Sequence, residues 1–290
     1  MEFIFLGTGT SAGVPAIACH CDVCTSDDPR DRRLRTAAAL RFTDPTGQQR
    51  VVLIDASPDL RQQALAHGLD RCDAILFTHN HVDHTFGLDE VRRFNAVMHR
   101  PIDIYANERT LEHLRRVFKH IFDRDANVND SFVATLIAHT IEPGRPIDLF
   151  GVRFTPIALL HGRLQILGFR IEPIPDANTP APGAEQPPTD HPGGSASPFP
   201  LAWCTDVSGI PPESWPRLEG LGTLVLDALR RRHHPTHLTL DQAVDVAGRI
   251  AARRTWFVHM AHDLSHEQTN ADLPESMRLA HDGLTLGHPN

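Results

Sequence analysis

Short, nearly continuous apolar runs bounded by turn-forming residues recur along the chain, at Phe3–Leu6, Ala37–Phe42, Val51–Ile54, Ala74–Phe77, Phe154–Leu160, Ile166–Ile171, Leu201–Thr205 and Thr255–Val258. Runs this short, rich in β-branched and aromatic residues, predict strands rather than helices. Helical spacing appears in two other places. Leu111, Leu114, Phe118, Ile121 and Phe122 recur at intervals of three and four, predicting one packing helix over Glu108–Phe122. Thr239-Leu240-Asp241-Gln242 has the form of a capping box, and Leu240, Ala243, Val244, Ala247, Ile250 and Ala251 continue with helical period. A helix should therefore begin at about Leu240. Strands interleaved with helices make the chain α/β.

Between Glu172 and Pro200 the composition shifts to Pro, Gly, Ala, Ser and Thr. So few apolar side chains cannot offset the entropy of ordering, which marks 173–200 as a flexible insert rather than a domain boundary. Ile166–Ile171 and Leu201–Trp203 should then be neighbours in one sheet, within a single domain spanning 1–290. With 290 residues, 41% of them hydrophobic, the chain can bury a sizeable core.

A net charge of −8 argues against binding driven by phosphate neutralisation along a nucleic acid. Arg30, Arg32, Arg33 and Arg35, and likewise Arg230, Arg231 and Arg232, are expected on solvated faces. The opening Met1–Leu6 lacks a signal-peptide pattern, and no apolar stretch approaches bilayer length. A cytoplasmic protein is expected, with a homodimer as its candidate assembly.

The chemistry concentrates in Thr78-His79-Asn80-His81-Val82-Asp83-His84, directly after the run Ala74–Phe77. In extended chain His79 and His81 point the same way, while Asp83 and His84 fall in the following turn and can face a second position. The spacing suggests two metal ions. Cys19, Cys21 and Cys24 form Cys-x-Cys-x-x-Cys, which in a reducing compartment reads as thiolate ligands for zinc. A closed tetrahedral site needs a fourth donor from elsewhere, since His20 is badly placed between two of the cysteines. Gly7-Thr8-Gly9-Thr10-Ser11-Ala12-Gly13 lacks the Lys-Ser/Thr ending of a P-loop and reads as a tight turn. His237 lies just ahead of the predicted helix start, where a side chain can reach a bound anion.

The His79, His81, Asp83, His84 pattern resembles the His-x-His-x-Asp-His signature of the metallo-β-lactamase superfamily. That resemblance implies a four-layer αβ/βα sandwich with two divalent ions, zinc or manganese, at one edge of two sheets. It also implies ligands downstream, for which His161, Asp206 and His259 are the candidates, each just after a β-prone run. His79, His81 and His161 would hold one ion, Asp83, His84 and His259 the other, with Asp206 between them. Within the superfamily the chain is most similar to the PhnP family of cyclic phosphodiesterases. The similarity rests on Leu6–Pro15, the three cysteines, the His79 signature and Val258-His259-Met260-Ala261-His262. By that resemblance His262 completes a structural zinc site, and His237, which stands 22 residues ahead of His259, is the general acid.

The expected activity is hydrolysis of a small, cyclic phosphodiester, through in-line attack by a hydroxide shared between the two ions, with Asp83 and His237 as the catalytic residues. Rival readings are a tRNA 3′-processing nuclease, a thioester or lactone hydrolase, and a non-catalytic relative similar to the cofactor-biosynthesis protein PqqB.

Overall fold

A computed structural model describes residues 1–126, 132–175 and 197–287. Among these residues two sheets of seven strands face one another. The first is built from β1 (Glu2–Gly7), β2 (Ala37–Thr43), β3 (Gln49–Ile54), β4 (Ala74–Leu76), β5 (Ile102–Ala106) and β6 (Leu136–Thr140). The second is built from β7 (Ile147–Leu149), β8 (Val152–His161), β9 (Leu164–Pro173), β10 (Leu201–Cys204), β11 (Thr223–Asp227), β12 (Arg254–Val258) and β13 (Met277–Leu279). The last strand, β14 (Thr285–Gly287), returns to the first sheet beside β1, giving the order β14-β1-β2-β3-β4-β5-β6 against β13-β12-β11-β10-β9-β8-β7.

Alternation along the strands explains why the apolar runs have no polar face. Phe3, Phe5, Leu40, Val52 and Ile54 point between the sheets, where they meet Phe154, Phe169, Trp203 and Val225. Their neighbours Ile4, Leu6, Ala39, Val51 and Leu53 point outward onto helices α1 (Leu60–Ala66), α3 (Arg92–Met98) and α4 (Glu108–Val117), with the single turn α2 (Val82–Thr85) between α1 and α3. On the far side Leu159, Leu224, Leu226 and Phe257 pack against α6 (Leu240–Ile250), which follows the short α5 (Lys119–Phe122) and precedes α7 (His266–Asp272). Three apolar layers thus lie between four layers of backbone, and a strand buried on both faces has no reason to alternate in polarity.

β9 and β10 pair antiparallel, with Leu201 opposite Ile171 and Trp203 opposite Phe169, as the sequence pattern requires. Of the predicted insert, residues 176–196 lie outside the described residues. The capping box is present, with Thr239 and Gln242 satisfying each other's backbone N–H. Glu108–Phe122 is not one helix. Phe118 leaves the helical region at φ −100°, ψ 43°, splitting it into α4 and α5, and its ring stands edge-on to Phe86 with centroids 5.8 Å apart. A tertiary aromatic contact accompanies the break where spacing alone suggests continuity.

The arginine run is not uniformly solvated either. Arg33 is fully buried, pairs with Asp31 at 3.0 Å and donates to the carbonyls of Ala261 and Leu264. Arg35 pairs with Asp59 and Arg30 with Asp28. The glycine turn is held by its neighbours. Gly9 bridges to Arg35 just ahead of β2 and to Met260 beyond β12, and a Cβ there would sit 2.8 Å from the Arg33 carbonyl oxygen.

Candidate metal centre

β3 and β4 run parallel in the first sheet, as do β10, β11 and β12 in the second, so their carboxyl ends share one edge of the sandwich. Open α/β sheets place their chemistry at such edges. Asp55 follows β3, His79 to His84 follow β4, Asp206 follows β10, Asp227 ends β11 and His259 follows β12, while His161 ends β8. Leu167 donates its N–H to the Thr78 carbonyl at 2.9 Å, which joins the two sheets at this edge.

The side chains fall into two groups. One nitrogen each of His79, His81 and His161 lie within 4.8 Å of one another, as do donor atoms of Asp83, His84, Asp206 and His259. Asp206 touches both sets: its Oδ1 is 3.3 Å from His259 Nε2 and 4.0 Å from His79 Nε2, and its Oδ2 is 3.2 Å from His84 Nε2. His161, Asp206 and His237 also bring donor atoms within 4.8 Å. His237 therefore stands at the same centre, closer to ligand-type atoms than a remote acid would. Of the first group only His81 is exposed.

These residues suit divalent ions. His79 Nε2 is buried and forms no hydrogen bond, which is costly unless another partner takes the lone pair. Burial holds the imidazoles of His79, His161 and His259 below their ordinary range, the last at about 4, so they stay neutral and able to ligate. Burial also opposes charge on His84, yet the carboxylates of Asp206, Asp83 and Asp55 raise it well above normal. Three carboxylates around one ring are an excess of negative charge that cations would offset.

Hydrogen bonds on the far side of each ring fix its orientation. Asp55 accepts from His84 Nδ1 at 2.7 Å, and from the Thr78 backbone N–H and hydroxyl at 2.8 Å each. His161 Nδ1 donates to the Thr236 carbonyl at 2.8 Å. His237 Nδ1 meets Asp227 at 3.2 Å, and Leu238 N–H meets the same oxygen at 3.1 Å. Burial lifts the Asp227 carboxyl to about 7 despite the hydrogen bond from His237. Burial lowers His237 in turn, but Asp227, Asp206 and Asp83 outweigh it and raise the ring. The two groups therefore titrate as a pair rather than independently. Asp55, Asp206 and His259 all adopt left-handed backbone, with φ of 64°, 59° and 60°. Such strain persists only where surrounding structure enforces it.

In a separate group, Cys19, Cys21, Cys24 and His262 bring four donor atoms within 4.8 Å. His262 Nδ1 is 3.3 Å from Cys19 Sγ and 3.2 Å from Cys21 Sγ. The His262 hydrogen bond draws the Cys21 thiol down to about 6, while burial pushes Cys24 up to about 11.

Residues 50–260 match the family model described as the beta-lactamase superfamily domain. The chain belongs to the metallo-β-lactamase superfamily. A crystal structure of a diphosphatase from the PhnP family is 40% identical, with a TM-score of 0.81 over 99% of this chain and 97% of that one, so membership extends to the PhnP family. Zinc-bound PqqB from Methylobacterium extorquens shares the fold at 21% identity, TM-score 0.69, over 99% of this chain and all of that one. An octanoyltransferase of Porphyromonas gingivalis is 33% identical over 286 residues, 98% of this chain but 51% of that protein. The chain spans about half the length of the curated relatives it matches.

Within this PhnP-family fold, His79, His81, Asp83, His84, His161, Asp206, His237 and His259 converge on one edge, and Cys19, Cys21, Cys24 and His262 on another position. Asp55 and Asp227 carry no spacing signal, and only their place directly after or at the end of a buried strand could have pointed to them.

Proposed function

We propose that the chain is a dinuclear, metal-dependent phosphoric diester hydrolase acting on a small phosphodiester, cyclic or linear. The observation that carries this reading is Asp206, whose two oxygens face both donor groups with His237 at the same centre. His79, His81 and His161 would hold one ion, and Asp83, His84 and His259 the other. When bound, two divalent cations of zinc or manganese type supply Lewis acidity toward phosphoryl oxygen and lower the pKa of water toward neutrality.

The chain's own residues do the rest. His79, His161 and His259, kept neutral by burial, present lone pairs, and Asp55 fixes the orientation of the His84 ring. His237, held by Asp227 through Nδ1, presents Nε2 to the centre and gives a proton to the departing alkoxide as the P–O bond breaks. Such a general acid is worth typically 10²- to 10⁴-fold. Cys19, Cys21, Cys24 and His262 would hold a structural zinc, giving about three metal equivalents per chain. Residues 1–290 would form one domain that includes the 173–200 insert.

The PhnP-family neighbour is described as a diphosphatase, which adds diphosphate esters to the substrates to test. A metal-loaded panel of cyclic phosphates, linear diesters, diphosphates, lactones and thioesters decides the reaction class. Hydrolysis of phosphoesters is expected, and turnover confined to lactones or thioesters would overturn the reading. Asp83→Ala should fold yet lose activity on bis(p-nitrophenyl) phosphate by orders of magnitude. A variant as fast as wild type would remove Asp83 from the centre.

A further inference from the structure

One hydroxyl at the metal-facing edge has no part in the steps described so far. Thr10, in the turn after β1, places Oγ1 3.5 Å from His259 Nε2, the same nitrogen that lies 3.3 Å from Asp206 Oδ1. Among the described residues the Thr10 hydroxyl meets only this nitrogen. At that length the contact is a poor hydrogen bond. It is also one that a ligating His259 could not keep, because a neutral Nε2 has one lone pair and ligation uses it. The hydroxyl is then a donor in want of an acceptor at the centre.

Little about its position is free. The Gly9–Thr10 peptide is held at both ends: Gly9 C=O accepts from the Thr36 N–H at 3.0 Å and from the Thr36 hydroxyl at 2.8 Å, and Thr10 N–H donates to Met260 C=O at 3.0 Å. Gly13 N–H closes the turn onto Thr10 C=O at 2.8 Å. Two residues earlier, Asp282 accepts from the Thr8 hydroxyl and from Leu34 N–H, at 2.7 Å each. A β-branched side chain on so fixed a peptide has few rotamers, so the donor is in place before any substrate arrives.

Two proton-bearing groups thus approach the His259 ring from different elements. His237 stacks on it, with centroids 4.9 Å and planes 12° apart, and its proton is assigned to the departing alkoxide. The charge still to be met is the one that grows on the non-bridging phosphoryl oxygens as the nucleophile adds, and a fixed neutral donor suits it. We propose that Thr10 is a further catalytic residue, whose hydroxyl donates a hydrogen bond to a non-bridging oxygen of the phosphoryl group during attack. The proposal rests on the phosphoric diester reading for its substrate.

Thr10→Val keeps the shape and removes the O–H, whereas Thr10→Ser keeps the O–H. At equal metal content, measured on each purified protein, Thr10→Val should lose about 10- to 100-fold in kcat, the range for a hydrogen bond to a charged group, and Thr10→Ser should keep most of the activity. The loss should be equal for bis(p-nitrophenyl) phosphate and 2′,3′-cyclic cytidine monophosphate, because phosphoryl charge grows whether or not the leaving group needs a proton. A loss confined to the cyclic ester would move Thr10 to leaving-group protonation and overturn the proposal. So would a Thr10→Val protein that is fully active, or one that no longer takes up metal, since the hydroxyl would then act through His259.

A readout without turnover separates this from failure of the reaction itself. Inorganic phosphate titrated calorimetrically into the zinc-loaded proteins should bind Thr10→Val about 10-fold more weakly than wild type, and Thr10→Ser as tightly as wild type. If no phosphodiester is cleaved but this difference holds, the diester reading fails and the contact with phosphoryl oxygen stands. If wild type and Thr10→Val bind phosphate equally, the contact fails.

Discussion

Asp227 Oδ2 lies 3.2 Å from His237 Nδ1 and also receives the backbone N–H of Leu238 at 3.1 Å, so one buried oxygen fixes both the ring and the chain that carries it. If His237 protonates a leaving group, Asp227 sets its tautomer and orientation. Asp227→Asn should lower kcat by about 10- to 100-fold, the usual range for an outer partner of a catalytic ring. The loss should be large for alkyl leaving groups and small for p-nitrophenolate, which departs without a proton. An equal loss for both esters, measured at full metal occupancy, would remove His237 from the role of acid.

Asp55 works in the same way on the other sheet. It takes hydrogen bonds from His84 Nδ1 and from Thr78, yet its distance from the other donor groups keeps it out of both candidate ligand sets. Asp55→Ala should weaken metal affinity by about 10- to 100-fold. Titration with a competing chelator would show it, and unchanged affinity would reduce Asp55 to a packing role.

Cys21→Ser should remove one metal equivalent and lower the thermal midpoint, while the remaining ions keep their places. The cluster joins residues 19–24 to His262 across some 240 residues, so a metal held there would restrain a long closed loop. Metal analysis of the purified variant checks this, and a protein that keeps all of its metal would exclude the site.

His266 makes stability depend on pH. Burial pushes its imidazole down to about 4, and the positive charges of Arg30, His281 and Arg33 act in the same direction. The folded protein thus refuses a proton that the unfolded chain accepts below about 6.5. Its stabilising contribution is present above pH 6.5 and is lost as the pH falls toward 4, by up to about 3 kcal/mol. Urea unfolding at pH 7.5 and pH 5 should show a smaller drop in His266→Gln than in wild type. Equal drops would mean that the ring titrates normally.

Much of this centre was legible in the residues themselves. His79 to His84 sit directly after an apolar strand, and Asp206 and His259 follow others, because a parallel strand buried on both faces must end before polar chemistry begins. Thr239 and Gln242 announced α6 because a capping box is local. What could not be read is relational. Asp55 and Asp227 act through contacts that depend on the fold, Arg33 is buried only because residues 261–264 pass over it, and Phe118 turns away from helix where Phe86 meets it. The left-handed backbone at Asp55, Asp206 and His259 leaves no mark on spacing.

The bridge from Gly9 to Met260 bears on how the molecule is made. Thr10 N–H and Thr8 C=O hold the Met260 peptide from both sides, one residue after His259. The turn at residues 8–10 is synthesised some 250 residues before its partner. During translation that edge stays open until residue 260 has been made, and the centre can be assembled only after that.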